Sequence, residues 1–240
     1  MEQERIYINR RRPYVTYALI GLNLAMFAVE LLMQALGHTY SETILRLGAK
    51  QNLLITCGEY WRLLTACFLH SGIVHIASNL IALYFWGPQV ELLLGRVKYL
   101  IVYLSAGLFG SVLSYALSDA ASVGASGAIF GLLGALLYFR TRHKQVFNQV
   151  FGMQVLVIIG INLANGFLDT GIDNFGHIGG LIGGFCAARK AAHPADLRPY
   201  WPDCGLCRYL PLRNVEVFRT IRHPDVLVHQ DFLLTGSRDL

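Results

Sequence analysis

Two short glycine-flanked segments hold residue types that can carry out hydrolysis. Gly124-Ala125-Ser126-Gly127 puts a serine at the start of one apolar run, and Gly176-His177-Ile178-Gly179-Gly180 puts a histidine at the start of another. A serine hydroxyl acts as a nucleophile when it has access to substrate, a base for its proton and donors for the ensuing oxyanion. Histidine titrates near neutral pH and is the usual base. Glycines on either side of Ser126 permit close approach. A helix beginning there would add free backbone N–H groups and the positive end of a helix dipole. Each residue also has a plain structural use, Ser126 as a helix N-cap and His177 bonded to a backbone carbonyl at a helix start. Position 128 is alanine, so the segment is not the Gly-x-Ser-x-Gly elbow of soluble hydrolases.

A third cluster, His70-Ser71-Gly72-Ile73-Val74-His75, is followed by Asn79. His75 and Asn79 are four residues apart and share one face of a helix. A neutral imidazole and an amide suit an oxyanion hole, because they donate hydrogen bonds without burying a formal charge. Polar packing between helices is the competing use. Metal binding by His70, His75 and His177 is set aside, and neither a metal nor a cofactor is expected. Asp169 and Asp173 precede His177 and are expected to be solvated, which leaves a Ser–His dyad rather than a triad.

The elements that must position these residues are membrane helices. Apolar residues make up 54% of the 240 and charged residues only 15%, where soluble domains carry about 25%. Mean hydropathy is +0.45. Six apolar segments, about 14–36, 73–93, 97–117, 126–140, 146–166 and 176–188, approach the roughly 20 residues that span a bilayer. The connection 37–72, with Tyr60 and Trp61 among apolar residues, is expected to lie in the interface. The fold class is therefore all-α: a polytopic six-helix bundle with a membrane-embedded first loop. Segment 1–12 precedes it, 13–190 forms the membrane domain, and 191–240 is a polar tail. Arg10–Arg12, Arg96 with Lys98, Arg140, Arg142 and Lys144, and Arg189 with Lys190 fall at alternate ends of the six segments. The short loops between hold Asp119, Asp169 and Asp173. By the positive-inside rule both termini are cytoplasmic. The net charge of +5 then faces an anionic leaflet, not nucleic acid.

Depth brings the chemistry together. Counted back from Arg140, Ser126 sits roughly 21 Å above the inner interface, and His177 sits roughly 18 Å above it counted back from Arg189. Glycines three and four apart, Gly127, Gly131 and Gly134 in one helix and Gly176, Gly180 and Gly184 in the other, let two backbones approach closely in lipid.

With these motifs in order, the chain resembles the rhomboid intramembrane serine proteases over about residues 13–190. The likeness rests on Trp61-Arg62, His70, His75, Asn79, Gly87, Glu91, Gly95, Gly124-Ala125-Ser126-Gly127 and Gly176-His177-Ile178-Gly179-Gly180. It implies that Ser126 is the nucleophile and His177 the base, with His75, Asn79 and the Ser126 N–H holding the oxyanion. It implies structural or substrate-access roles for Trp61, Arg62, His70, Glu91, Gly127, Phe130 and Gly180. Some members place a tyrosine four residues after the serine; Phe130 stands there here, so a hydroxyl role is excluded. The implied partners are the lipid bilayer and membrane proteins whose spanning helix unwinds near the outer face, cut beside a small residue. A bacterial cell membrane is the expected location. The alternative is a catalytically silent rhomboid-like binding or quality-control protein. A transporter would be expected to show repeated halves, and none are seen.

The tail holds Cys204-Gly205-Leu206-Cys207, His223 and His229, a loose match to zinc-site spacing. The five cysteines form no disulfide framework, and no sequence feature sets the oligomeric state.

Overall fold

The computed structural model describes residues 12–169 and 171–191. The Cys204–Cys207 pair, His223, His229 and nearly all of the two terminal segments lie outside that range. Within it the secondary structure is helical, apart from one antiparallel bridge between Lys50 and Ser122.

Six longer helices form the bundle: α1 (Tyr14–Ala35), α5 (Ile73–Leu94), α6 (Arg96–Leu117), α7 (Ser126–Arg142), α9 (Gln154–Leu168) and α10 (Asn174–Ala191). By length and apolarity α1 and α6 can each cross a membrane. Two bent pairs pass the same criterion. One is the segment Arg62–Phe68 with α5, at 91°; the other is α8 (Lys144–Val150) with α9, at 75°. The second corrects the sequence-based single run over 146–166. The chain breaks at Phe151-Gly152-Met153, where Gly152 takes φ 55°, a left-handed turn that costs glycine no Cβ clash.

α7 is the centre. Every residue from Ala128 to Leu136 is buried, as expected of a helix apolar on all sides. α10 packs most extensively on α6 and α7, and the glycines are the reason. A Cβ at Gly180 would overlap the Gly127 carbonyl, one at Gly184 the Gly131 carbonyl, and one at Gly134 the Leu181 carbonyl. Lipid offers little hydrophobic drive for helix association, so this close van der Waals contact holds the pair.

The first loop is more ordered than an interfacial connection need be. It folds into α2 (Tyr40–Leu47), α3 (Asn52–Thr56) and α4 (Arg62–Thr65). Thr39 and Glu42 form a capping box at the start of α2, and Gly48 ends it at φ 105°. Arg62 staples the loop: Nη1 donates to the Leu45 carbonyl at 2.7 Å and the Ala49 carbonyl at 3.2 Å, and Nε donates to Glu59 at 2.7 Å. The guanidinium also lies 4.7 Å from the Trp61 ring centre. Lys50 is fully buried, and its ammonium donates to the Ser118 and Ala120 carbonyls at 2.7 and 2.9 Å, just past the end of α6. Burial lowers the pKa of this amine below its ordinary value, and the charges of Asp173 and Asp119 oppose that shift.

At the far end of the bundle the buried Glu91 side chain accepts from the N–H groups of Val15 and Thr16 at 3.0 and 2.7 Å and from the Thr16 hydroxyl at 2.8 Å. A carboxylate there meets unsatisfied donors of the first turn and the positive end of the α1 dipole.

Candidate active site

Ser126 is the first residue of α7, while the N-cap position falls on Ala125 and has no side-chain cap. The serine hydroxyl is thus not spent on capping. Its Oγ lies 2.9 Å from His177 Nε2 on α10. The loop ahead of Ser126 is tied down on the first-loop side. Lys50 and Ser122 exchange backbone bonds of 3.0 and 3.1 Å, and the Gly124 N–H donates to the Ala66 carbonyl at 2.9 Å. Gly124 is held at φ 134°, and a Cβ there would lie 2.8 Å from His75 Cε1, 2.9 Å from His75 Nε2 and 3.6 Å from Ser126 Oγ. The absent side chain lets the imidazole edge and the serine hydroxyl face the same small space.

His177 is buried and lies in the first turn of α10. Its ring stacks on Phe130 with centroids 4.2 Å apart and planes 6° from parallel. Its Nδ1 is buried with no hydrogen-bond partner among the described residues, so no carboxylate orients the ring and the stacked Phe130 fixes its plane instead. Asp173 is half-buried rather than solvated as the sequence suggested. Its carboxylate accepts the Gly176 N–H at 2.8 Å and its carbonyl accepts the His177 N–H at 3.1 Å, which caps α10. Asp169 is exposed, as expected.

On α5, Asn79 is 6% exposed and its amide Nδ2 has no hydrogen-bond partner among the described residues. His75 is bonded through Nδ1 to Ser71. Ser126, His177, His75 and Asn79 all line one cavity of about 730 Å³, which Trp86 and Ile158 also border. It therefore contains a hydroxyl–imidazole pair, an unpaired buried amide and a second imidazole, alongside the N–H groups that a helix's first turn leaves without intrahelical partners. Such a set can activate a hydroxyl and stabilise negative charge on an oxygen beside it.

Other residues singled out in the sequence sit elsewhere. His70 packs edge-on against Phe27 and lies 5.3 Å from the His75 ring, and its N–H donates to the buried Glu30 carboxylate at 3.1 Å. It supports the site from behind. Trp61 and Arg62 organise the first loop, and Glu91 anchors α1 roughly 24 Å along α5 from His75. Gly127 and Gly180 form the backbone crossing beside the Ser126–His177 pair. Sequence reasoning gave no role to Ser71 or Glu30 and took Asp173 to be solvated. A serine four residues before His75 was the one available sign of the first; the partners of Glu30 lie forty positions away and leave no local pattern.

Comparison with known proteins decides the family. A family model described as Rhomboid domain matches residues 57–193. The chain belongs to the rhomboid family. It is 49% identical over 183 residues to Rhomboid protease GluP of Bacillus subtilis (strain 168), covering 76% of this chain and 36% of that protein. It is 41% identical over 150 residues to RHOMBOID-like protein 6, mitochondrial, of Arabidopsis thaliana, covering 61% of this chain and 48% of that protein. With the Putative rhomboid protease YdcA of Bacillus subtilis (strain 168) it shares 33% identity over 136 residues, 56% of this chain and 68% of that protein. The chain thus spans well under two thirds of the first two relatives. As a rhomboid with apolar helices of spanning length, it is a multi-pass membrane protein built as a helical bundle.

Proposed function

We propose that this rhomboid is an intramembrane serine endopeptidase using a Ser126–His177 dyad. The observation that carries the reading is the 2.9 Å contact between Ser126 Oγ and His177 Nε2 on the wall of the cavity. His177 Nε2 takes the hydroxyl proton as Oγ attacks the scissile carbonyl, and returns it to the leaving amine. The Ser126 N–H, His75 Nε2 and Asn79 Nδ2 receive the oxyanion. A water, deprotonated by the same imidazole, then releases the acyl group from Oγ.

The substrates are spanning segments of other membrane proteins. A peptide bond inside an intact helix is shielded, so the segment must unwind before attack, and its freed backbone groups need partners in the site. Ser78 and Asn162, both lining the cavity, supply polar side chains there. The rhomboid resemblance adds a small residue beside the cut and a location near the outer face. Six spans, with α8 and α9 together forming the fifth, put both termini and a polar tail after residue 190 on the cytoplasmic side of a bacterial cell membrane.

A fluorophosphonate probe is expected to label the purified full-length protein, and Ser126→Ala to abolish labelling. Ser126→Ala and His177→Ala are each expected to lower cleavage of a reconstituted membrane substrate by about a thousandfold or more. Wild-type cleavage by both variants would remove the dyad from the mechanism.

A further inference from the structure

We propose that Ser71 is a positioning residue that fixes the tautomer of His75. The inference rests on the reading of His75 as an oxyanion donor. Two groups of Ser71 meet one ring nitrogen: the backbone N–H lies 3.2 Å from His75 Nδ1 and the hydroxyl lies 2.9 Å from it. A hydroxyl can donate or accept, so it alone leaves the ring undecided. The backbone N–H can only donate. Nδ1 must therefore present its lone pair, and a neutral ring then carries its proton on Nε2. That nitrogen and Cε1 form the ring edge beside the empty Cβ position of Gly124, which Ser126 Oγ also borders. With the proton on Nδ1 instead, Nε2 would offer a lone pair to the developing oxyanion and repel it. A doubly protonated ring is disfavoured by the same contact, since it too needs a hydrogen on Nδ1.

The turn that aims this N–H is itself held. The preceding N–H, of His70, donates to both carboxylate oxygens of Glu30 at 3.1 and 3.4 Å, and Glu30 and His70 are both fully buried. Two consecutive backbone donors thus have fixed partners, one held by Glu30 of α1 and the other bonded to the ring of His75.

The test is nitrogen-15 NMR of histidine-labelled full-length protein in lipid nanodiscs, with His75 assigned by its loss in His75→Gln. The expected spectrum at neutral pH has Nε2 protonated and Nδ1 unprotonated. Ser71→Ala keeps the backbone donor and the tautomer while cleavage falls about fivefold, as for loss of one hydrogen bond; Ser71→Thr restores the rate. A protonated Nδ1 in the wild type overturns the proposal, and so does cleavage at the wild-type rate by Ser71→Ala. Probe labelling of Ser126 separates the two layers. Labelling with a protonated Nδ1 sinks the role of Ser71 alone, whereas the expected tautomer without labelling sinks the protease reading and leaves the Ser71–His75 pairing standing.

Discussion

The α7–α10 pair and α9 border the same cavity but are held in opposite ways. α7 and α10 touch backbone to backbone through facing glycines, and a long run of α7 is buried. On α9 only Val155 and Ile159 are buried, a Cβ added at Gly160 would meet no neighbouring element within 4 Å, and Phe167 and Leu168 are 76% and 85% exposed. Both helices of the pair and α9 are apolar, so hydropathy does not separate them. Contact density does. In lipid, exposed leucine or isoleucine loses little, and rigidity follows from how closely backbones can approach. The dyad sits on the closely packed pair, while α9 contributes Ile158 and Asn162 to the same cavity with few buried residues, the kind of element drawn from the low-stability end of a structure.

The sharpest way to break this contrast is Gly184→Val. Its side chain would be driven into the Gly131 carbonyl, and a loss of more than about 3 kcal/mol is expected by unfolding in mild detergent, together with activity. Gly180→Ala is a smaller intrusion into the Gly127 carbonyl, expected to cost about 2 kcal/mol and to lower cleavage by separating the helices beside the dyad. Phe130→Leu keeps an apolar side chain but loses the stack on His177. About 1 kcal/mol is expected there, read as a fall in cleavage rate with the melting temperature little changed. Gly160→Ala on α9 is the control. It should alter stability by less than about 1 kcal/mol, in the stabilising direction. If Gly160→Ala proved as damaging as Gly180→Ala, the two regions would not differ as described.

The same contrast decides what could be read from the sequence. The α7–α10 contact was legible because small residues at spacings of three and four announce a helix face, and because helix rise turns residue number into depth. Those two rules alone bring Ser126 and His177 to one depth on facing helices. The break at Gly152 was not legible: the apolar run passes straight through it, and a lone glycine inside such a run is equally compatible with a continuous helix. The hidden anchors share another cause. Arg62 is bonded to carbonyls of Leu45 and Ala49, Lys50 to those of Ser118 and Ala120, and Glu91 to N–H groups of Val15 and Thr16. Backbone partners carry no residue identity, and the side-chain partners, Glu59 for Arg62 and the Thr16 hydroxyl for Glu91, do not announce the loop and helix contacts made beside them. Asp173 was misjudged for the same reason, since what it binds is the peptide group of Gly176.

The Glu91 anchor bears on how the molecule is assembled. α1 emerges from the ribosome long before position 91, so its first peptide groups have at first only headgroups and water to bind. When α5 follows, its carboxylate replaces those partners at a single point. That exchange gives the pair of α1 and α5 a preferred register along their axes, set by one polar contact at one end.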